Sequence, residues 1–254
     1  MTTALVTGAT AGIGAEFARQ LAASGHDLIL VARDAARLEA SAAALRATGV
    51  SVEVLATDLA DRAGVATVAA RVGDPDRPVD VLVNNAGFGT VTSLGDADTS
   101  EQERALDVMA TAPLVLGAAA ASAMKRRGAG QIITVASLSA WITHGGYSAV
   151  KAYAKVWSEG LSIELAGTGV TATALCPGWV RTEFHERAGL AATGIPGWAW
   201  VDAERCVREC LAHADAGRVL SLPTKRWKLA AFGLQHAPRA LVYAIGRRMQ
   251  GMRP

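Results

Sequence analysis

Tyr147 and Lys151 stand four residues apart in the run Gly145-Gly146-Tyr147-Ser148-Ala149-Val150-Lys151, and Ser137 lies ten residues before the tyrosine. On a helix, positions i and i+4 share a face, so phenol and ammonium would point into one space. A phenol titrates near about pH 10, and a neighbouring cation lowers that value by favouring the phenolate. A tyrosine so placed can pass a proton to or from a substrate oxygen. The Tyr-x-x-x-Lys spacing alone is weak, because both residues are common on helices. Its weight comes from the other end of the chain.

There the run Ala4-Leu5-Val6-Thr7 leads into the glycine-rich stretch Gly8-Ala9-Thr10-Ala11-Gly12-Ile13-Gly14, followed by a helical pattern that carries Phe17, Ala18 and Leu21 on one side. Gly8 permits a tight turn, Gly12 lets the backbone approach a pyrophosphate, and Gly14 lets the helix pack close to the sheet. The N–H groups and the positive end of the helix dipole suit phosphates. A strand before and a helix after is the context that turns a glycine motif into a dinucleotide-binding candidate.

These elements recur along the chain. Strand-like runs fall at 4–7, 27–32, 51–56, 79–83, 131–135, 170–175 and 218–222, with helical stretches at 12–24, 35–48, 61–72, 101–127, 147–167 and 202–214. Such alternation predicts an α/β fold, a doubly wound parallel sheet with helices on both faces. In an open parallel sheet the ligand sits beyond the strand C-termini. Gly8, Asn84, Ser137 and Pro177 each follow a strand end, so they converge on one edge.

The motifs Thr7-Gly8-x-x-x-Gly12-Ile13-Gly14, Asn84-Asn85-Ala86-Gly87, Ser137, Tyr147-x-x-x-Lys151 and Pro177-Gly178, in this order, resemble those of the short-chain dehydrogenase/reductase family. The resemblance runs from Thr3 to Leu222 and is nearest to the NADP-preferring bacterial members, whose substrates vary. It implies a Rossmann-type strand order 3-2-1-4-5-6 with a seventh strand, and hydride transfer between a nicotinamide and a carbonyl or alcohol carbon. Tyr147 would exchange the proton, Ser137 would hydrogen-bond the same oxygen, and Lys151 would lower the tyrosine's pKa and hold the nicotinamide ribose. Ser139 is the alternative to Ser137. The cofactor would be bound by Gly8, Thr10, Gly12, Ile13, Gly14, Asp58, Leu59, Asn85, Ala86, Gly87, Pro177, Gly178, Val180 and Thr182, besides Tyr147 and Lys151. Asp58-Leu59 also reads as an ordinary cap between strand and helix.

Strand two ends Ala32-Arg33-Asp34. An acid at this strand end suits the ribose hydroxyls of NAD, whereas a nearby arginine suits the 2′-phosphate of NADP. Ala32 stands in the acid's place, so Arg33 predicts NADP, and Asp34 reads as the N-cap of the next helix. Two features depart from the family. Asn84 and Asn85 are the only asparagines, so the helix-four asparagine of the family is absent, and Met109 holds its place. The Ser137–Tyr147 segment is also shorter than usual; Gly145 and Gly146 give it backbone freedom, and His144 within it is a candidate substrate contact.

The composition is that of one globular domain: 51% hydrophobic residues and a net charge of +2 offer a large core and no strong attraction to nucleic acid. The three cysteines, Cys176, Cys206 and Cys210, give no paired framework, which favours a reducing compartment. Cys206 and Cys210 read as buried small residues rather than as a metal site. No signal-peptide pattern opens the chain, and a cytoplasmic enzyme is expected.

Residues 183–200 form the expected substrate lid, with Phe184, Leu190, Ile195, Trp198 and Trp200 as apolar elements, Gly194 and Gly197 as hinges, and Trp141 and Trp179 near the same cleft. Such walls suit a lipophilic small molecule. The tail, about 223–254, carries Lys225, Arg226, Lys228, Arg239, Arg247, Arg248 and Arg253 among apolar residues, and no acid occurs from 216 onward. It could touch a membrane surface, cap the cleft or pair subunits. The family forms dimers and tetramers, and Ala118–Ala121, Val156, Trp157 and Leu161 allow a homo-oligomer. Two other readings stand beside the oxidoreductase: a catalytically weak NADP-binding sensor or scaffold, and, ranked lower, an isomerase or epimerase of the same fold.

Overall fold

The computed structural model describes residues 2–183 and 195–250. Uninterrupted apolar runs such as Leu28-Ile29-Leu30-Val31 form strands buried on both faces, as a parallel sheet covered by helices requires. The chain runs β1 (Thr3–Thr7), α1 (Gly12–Ala23), β2 (Asp27–Ala32), α2 (Ala35–Arg46), β3 (Val52–Ala56), α3 (Arg62–Gly73) and β4 (Val81–Asn84). It continues through α4 (Ser100–Leu106), α5 (Ala112–Arg127), β5 (Gly130–Val135), α6 (Gly145–Glu164) and β6 (Val170–Leu175). The short strands β7 (Trp179–Arg181) and β8 (Trp200–Asp202) pair with each other; α7 (Ala203–Asp215) and β9 (Leu220–Ser221) follow, and then α8 (Lys225–His236) and α9 (Arg239–Gln250).

The main sheet is parallel, in the order β3-β2-β1-β4-β5-β6-β9, as the alternating pattern and the resemblance led us to expect. Its two faces bury two cores. Ala4, Val6, Leu28 and Leu30 pack with Phe17, Leu21, Leu38, Cys206, Val207 and Cys210 on one side. Leu5, Ile29, Val31 and Leu82 pack with Val65, Val68, Leu116, Ala120 and Met124 on the other. The alternation of neighbours between faces follows the two-residue period of a strand.

Two local features differ from the sequence expectation. The single helix expected over 101–127 is divided into α4 and α5 by a wide π-helical turn, Asp107–Thr111. By length and composition the stretch Ser100–Arg127 could cross a membrane, but more than half of its apolar window is buried inside the protein. Helix α6 starts at Gly145 rather than at 147, which puts Tyr147 in its first turn. The tail forms two helices separated at Pro238, consistent with the restriction a proline places on the residue before it.

The sheet edge that carries the site is tied by one side chain. Thr7 Oγ1, at the end of β1, accepts hydrogen bonds from Asn85 N at 2.9 Å and Ala86 N at 3.0 Å and donates to Val83 O at 3.3 Å. Asn85 Nδ2 returns a bond to Thr7 O at 2.8 Å. Thr7→Val keeps the shape but leaves two half-buried N–H groups without their acceptor, toward the lower end of the about 1–3 kcal/mol that each such loss costs. Urea unfolding of this variant should show a loss of about 2–4 kcal/mol; a native midpoint would mean that water or a backbone shift replaces the hydroxyl.

Candidate active site and cofactor cleft

The strand C-termini open into a cleft of about 1090 Å³. Gly8 and Gly12 form its glycine-rich rim with φ of +66° and +55°, in the left-handed region that side chains disfavour. The N-cap of α1 is Ala11, which makes no side-chain cap bond, so the first-turn N–H groups of the helix stay available to an anion. Thr10 and Ile13 line the same rim, and Thr182 crosses to it, its Cβ 3.2 Å from where a side chain on Gly12 would begin. Gly14 lies behind the rim, where any Cβ would collide with Gly8 O and Asn85 Nδ2. The features fit a dinucleotide: a side-chain-free rim, open helix N–H groups and a long cleft.

At the far end of the cleft, Arg33, Arg37, Asp58, Leu59 and Arg104 gather. Asp58 Oδ2 lies 2.7 Å from Arg104 Nη2 and 3.9 Å from Arg33 Nη1. Asp58 also accepts from Ala60 N at 3.0 Å. Burial raises the Asp58 carboxyl, but this bond and the two guanidiniums together hold it below the usual value. Asp34 accepts from Arg37 N at 3.0 Å and is the N-cap of α2, as its position suggested. Arg37, not singled out in the sequence, brings its guanidinium to 3.4 Å from Thr10 O and 3.5 Å from Glu183. A cation one helical turn after Arg33 was the available signal.

Near the middle of the cleft, Asn85, Ala86 and Gly87 follow β4, while Pro177, Gly178 and Val180 follow β6. Ser137, Tyr147 and Lys151 meet between them. Ser137 hydrogen-bonds Tyr147 and also accepts from Ser139 N at 3.1 Å. Ser139 thus supports Ser137 through its backbone, and the tyrosine's partner is Ser137. Lys151 is buried, and its Nζ donates to Val135 O at 2.7 Å. The ammonium sits over the Tyr147 ring, 5.6 Å from its centroid.

The electrostatics differ from the sequence expectation. Burial pushes the Tyr147 phenol up to about 12, and the Ser137 hydrogen bond offsets this only in part. Burial also lowers the Lys151 ammonium to about 8. The Tyr147 ring keeps an edge on the cleft, yet protein surrounds it closely enough that desolvation dominates, and the ammonium is bonded to Val135 O.

Met109 belongs to the π-helical turn and is 2% exposed. Its Sδ lies 2.9 Å from where a Cβ on Gly87 would stand, and Lys151 Nζ lies 3.7 Å from the same point. A thioether thus stands near the lysine, at the position that the resemblance assigns to an asparagine. Thioether sulfur is only a weak acceptor.

The substrate side is built differently from expectation. Trp179 lines the cleft, but Trp141 does not: it packs near Ala136, Ala154 and Cys176, with Lys155 Nζ 5.0 Å from its ring centroid. Trp200 stacks at a tilt on Trp179, centroids 5.9 Å apart, and Trp198 is 68% exposed. Ile195 and Gly197 are outside the lining, and Phe184, Leu190 and Gly194 lie outside the described residues. Among the described residues the apolar wall comes from Trp179 and from the tail, Trp227, Ala230 and Leu234 of α8 and Ile245 of α9, so the tail caps the cleft, one of the roles its sequence allowed. The Trp227 ring fills the space that a side chain on Gly178 would need. Their spacing in an amphipathic segment was visible in the sequence, but not which surface they would meet. His144 lines the cleft, as do Phe88, Thr90 and Ile142. All three cysteines are buried thiols, and no metal-ligating cluster occurs among the described residues.

Comparison with known proteins gives this cleft its context. The family model described as short chain dehydrogenase matches residues 2–191. The chain is 37% identical to galactitol 2-dehydrogenase (L-tagatose-forming) of Cereibacter sphaeroides over 201 residues, 76% of this chain and 78% of that protein. A short-chain dehydrogenase from Sphingobium yanoikuyae, solved in complex with NADPH, superposes with a TM-score of 0.84 at 34% identity, covering 92% of this chain and 94% of that one. The bulky-bulky ketone specific alcohol dehydrogenase from Comamonas testosteroni does so with a TM-score of 0.79 at 30% identity, covering 94% and 96%. The glycine rim, the serine–tyrosine–lysine cluster and the sheet that presents them thus identify the chain as a member of the short-chain dehydrogenase family, a nicotinamide-dependent oxidoreductase acting on CH–OH and C=O groups.

Proposed function

We propose that the protein is an NADP(H)-dependent reductase of a lipophilic ketone or aldehyde. The observation that carries this reading is the single cleft in which the glycine rim, the Arg33–Arg37 pair, the Ser137–Tyr147–Lys151 cluster and an apolar wall follow one another. Gly8, Thr10, Gly12 and Ile13 would hold the diphosphate with Thr182 opposite, Arg33 and Arg37 the 2′-phosphate, Asp58 and Leu59 the adenine, and Asn85, Ala86, Gly87, Pro177, Gly178, Val180 and Lys151 the nicotinamide half. Gly14 acts from behind by letting α1 pack close. When bound, the nicotinamide supplies or accepts the hydride. Ser137 orients the substrate oxygen and hydrogen-bonds the charge that develops on it. Tyr147 gives that oxygen its proton. A phenol at about 12 is fully protonated at neutral pH, which suits carbonyl reduction better than alcohol oxidation.

The apolar wall of Trp179, Trp227, Leu234 and Ile245 supports a lipophilic substrate, and the relative from Comamonas testosteroni is named for bulky ketones. The galactitol relative shows that family membership alone does not choose the substrate. A homo-oligomer is supported by the apolar outer side of α6, where Val156 is 61% and Ile163 77% exposed; Trp157 is used internally, against Gly117. The free thiols support a cytoplasmic location. A second reading, a weakly catalytic NADP-binding protein, rests on Met109 alone.

Three outcomes test the proposal. NADPH should bind more tightly than NADH, and Arg33→Ala should remove most of the difference, because a charge-assisted phosphate contact is lost; fluorescence titrations giving equal or tighter NADH binding would reject the NADP assignment.

Tyr147→Phe should abolish ketone reduction and leave NADPH affinity nearly unchanged, since the ring still packs but carries no proton. In the native enzyme, reduction should stay flat across neutral pH and alcohol oxidation should climb as pH rises, because only the reverse direction needs the phenolate. Near-native turnover by the phenylalanine variant would remove the proton-donor role.

Met109→Asn separates the two readings. In an active enzyme adapted to the thioether, asparagine places an unpaired amide in a buried site, so melting temperature and turnover should both fall. A several-fold rise in turnover, about 1 kcal/mol of barrier, accompanied by a smaller solvent isotope effect, would show instead that the native proton relay is impaired.

A further inference from the structure

Helices α8 and α9 have two faces. Trp227, Ala230, Ala231 and Leu234 of α8 turn inward, toward the cleft and the body of the protein, as do Val242, Ile245 and Gly246 of α9. The opposite side of α8, at the helical spacing Lys225, Leu229, Phe232, His236, is exposed: Leu229 by 72% and Phe232 by 61%. On α9, Leu241 and Tyr243 are exposed by 53% and 44%, with Arg239, Arg247 and Arg248 exposed beside them. Lys225 and Lys228 are exposed too, and Arg226, though tied to Trp200 O at 2.9 Å, lies on the surface. No acid occurs from residue 216 to the end of the chain.

We infer that the outer face of the α8–α9 pair docks on an anionic lipid surface, with Leu229, Phe232, Leu241 and Tyr243 entering the interface and the surrounding lysines and arginines facing lipid headgroups. Exposed leucine and aromatic side chains ringed by cations, on a helix pair that itself carries no acid, are the pattern of an interfacial helix; the neighbouring Glu209 of α7, beside Lys228, accepts from Thr224 N at 2.8 Å. Charge chooses the occupant. A second copy meeting this face across a two-fold axis would set the same patch against itself, cation against cation, whereas a negatively charged bilayer complements it. Because the inner side of the same helices walls the cleft, docking would set the substrate opening beside the lipid. The inference does not depend on NADP preference or turnover, and its test uses neither.

The test is cosedimentation of the full chain with vesicles of phosphatidylcholine, with and without phosphatidylglycerol. The native protein should partition on the order of tenfold more strongly to the anionic vesicles, and the excess should disappear at high salt. The double variant Leu229→Asp and Phe232→Asp alters neither a cleft-lining nor a buried residue, so it should retain its circular dichroism spectrum and melting temperature but lose the partition. The proposal is overturned if native protein ignores both vesicle types, if it binds them equally, or if the folded double variant binds like the native chain. Ultracentrifugation showing a dimer that the double variant dissociates, without vesicle binding, would assign the face to a second copy.

Discussion

The hydroxyl of Thr7 is the fixed point of the site. It sits where β1 ends, beside β4, at the place where the strand order reverses. By accepting from Asn85 N and Ala86 N it ends two strands at one level, and the Asn85 amide then reaches the carbonyls of Thr7 and Gly8. The glycine turn is thereby held against the loop after β4, and Gly14 can press α1 onto both because it has no side chain. Cofactor and substrate chemistry share one cleft because this contact joins segments almost eighty residues apart.

The reacting end depends on a second buried interaction of opposite character. A lysine ammonium inside protein costs solvation, and the carbonyl of Val135, at the end of β5, compensates for part of it. Burial still lowers the ammonium and raises the phenol. The pair therefore rests as a protonated phenol beside a partly desolvated cation, the state that the proposed reduction requires. The widened turn at 107–111 brings Met109 onto Gly87, on whose surface the same lysine also closes. π-helical turns of this kind are frequent at functional sites, and here the turn delivers an apolar group to a polar neighbourhood.

The sheet and most of the residues that line the cleft were legible because their signals are local. Runs such as Leu28–Val31 declare a doubly covered strand, and a glycine-rich turn between strand and helix declares its position at the sheet edge. Asp34 as a cap followed from its place before Ala35-Ala36. What remained hidden depended on contacts distant in sequence. Trp141 and Trp227 are both tryptophans in amphipathic settings; only the fold sends the first into the core beside Ala154 and the second onto Gly178. The phenol's raised pKa was equally illegible, because the i, i+4 spacing reports proximity to Lys151 but not the burial that opposes it. The helix at 101–127 hid its π-turn, since one wide turn leaves the apolar period of its flanks intact.

The two halves of the cleft are held by different means, as the proposed division between cofactor and substrate requires. The cofactor half is backbone at the ends of strands, fixed by ladder hydrogen bonds and by the Thr7 contact; a change there disturbs the sheet. The substrate half is side chains on α8 and α9, which follow the last strand and rest on the rim chiefly through Trp227 on Gly178 and Gly246 on Thr143. Substitutions at Ala230, Leu234 or Ile245 reshape the wall without reaching the sheet. A chain can therefore share its fold with a dehydrogenase of bulky ketones while the wall of its own cleft is shaped by a helix pair that follows the last strand of the sheet.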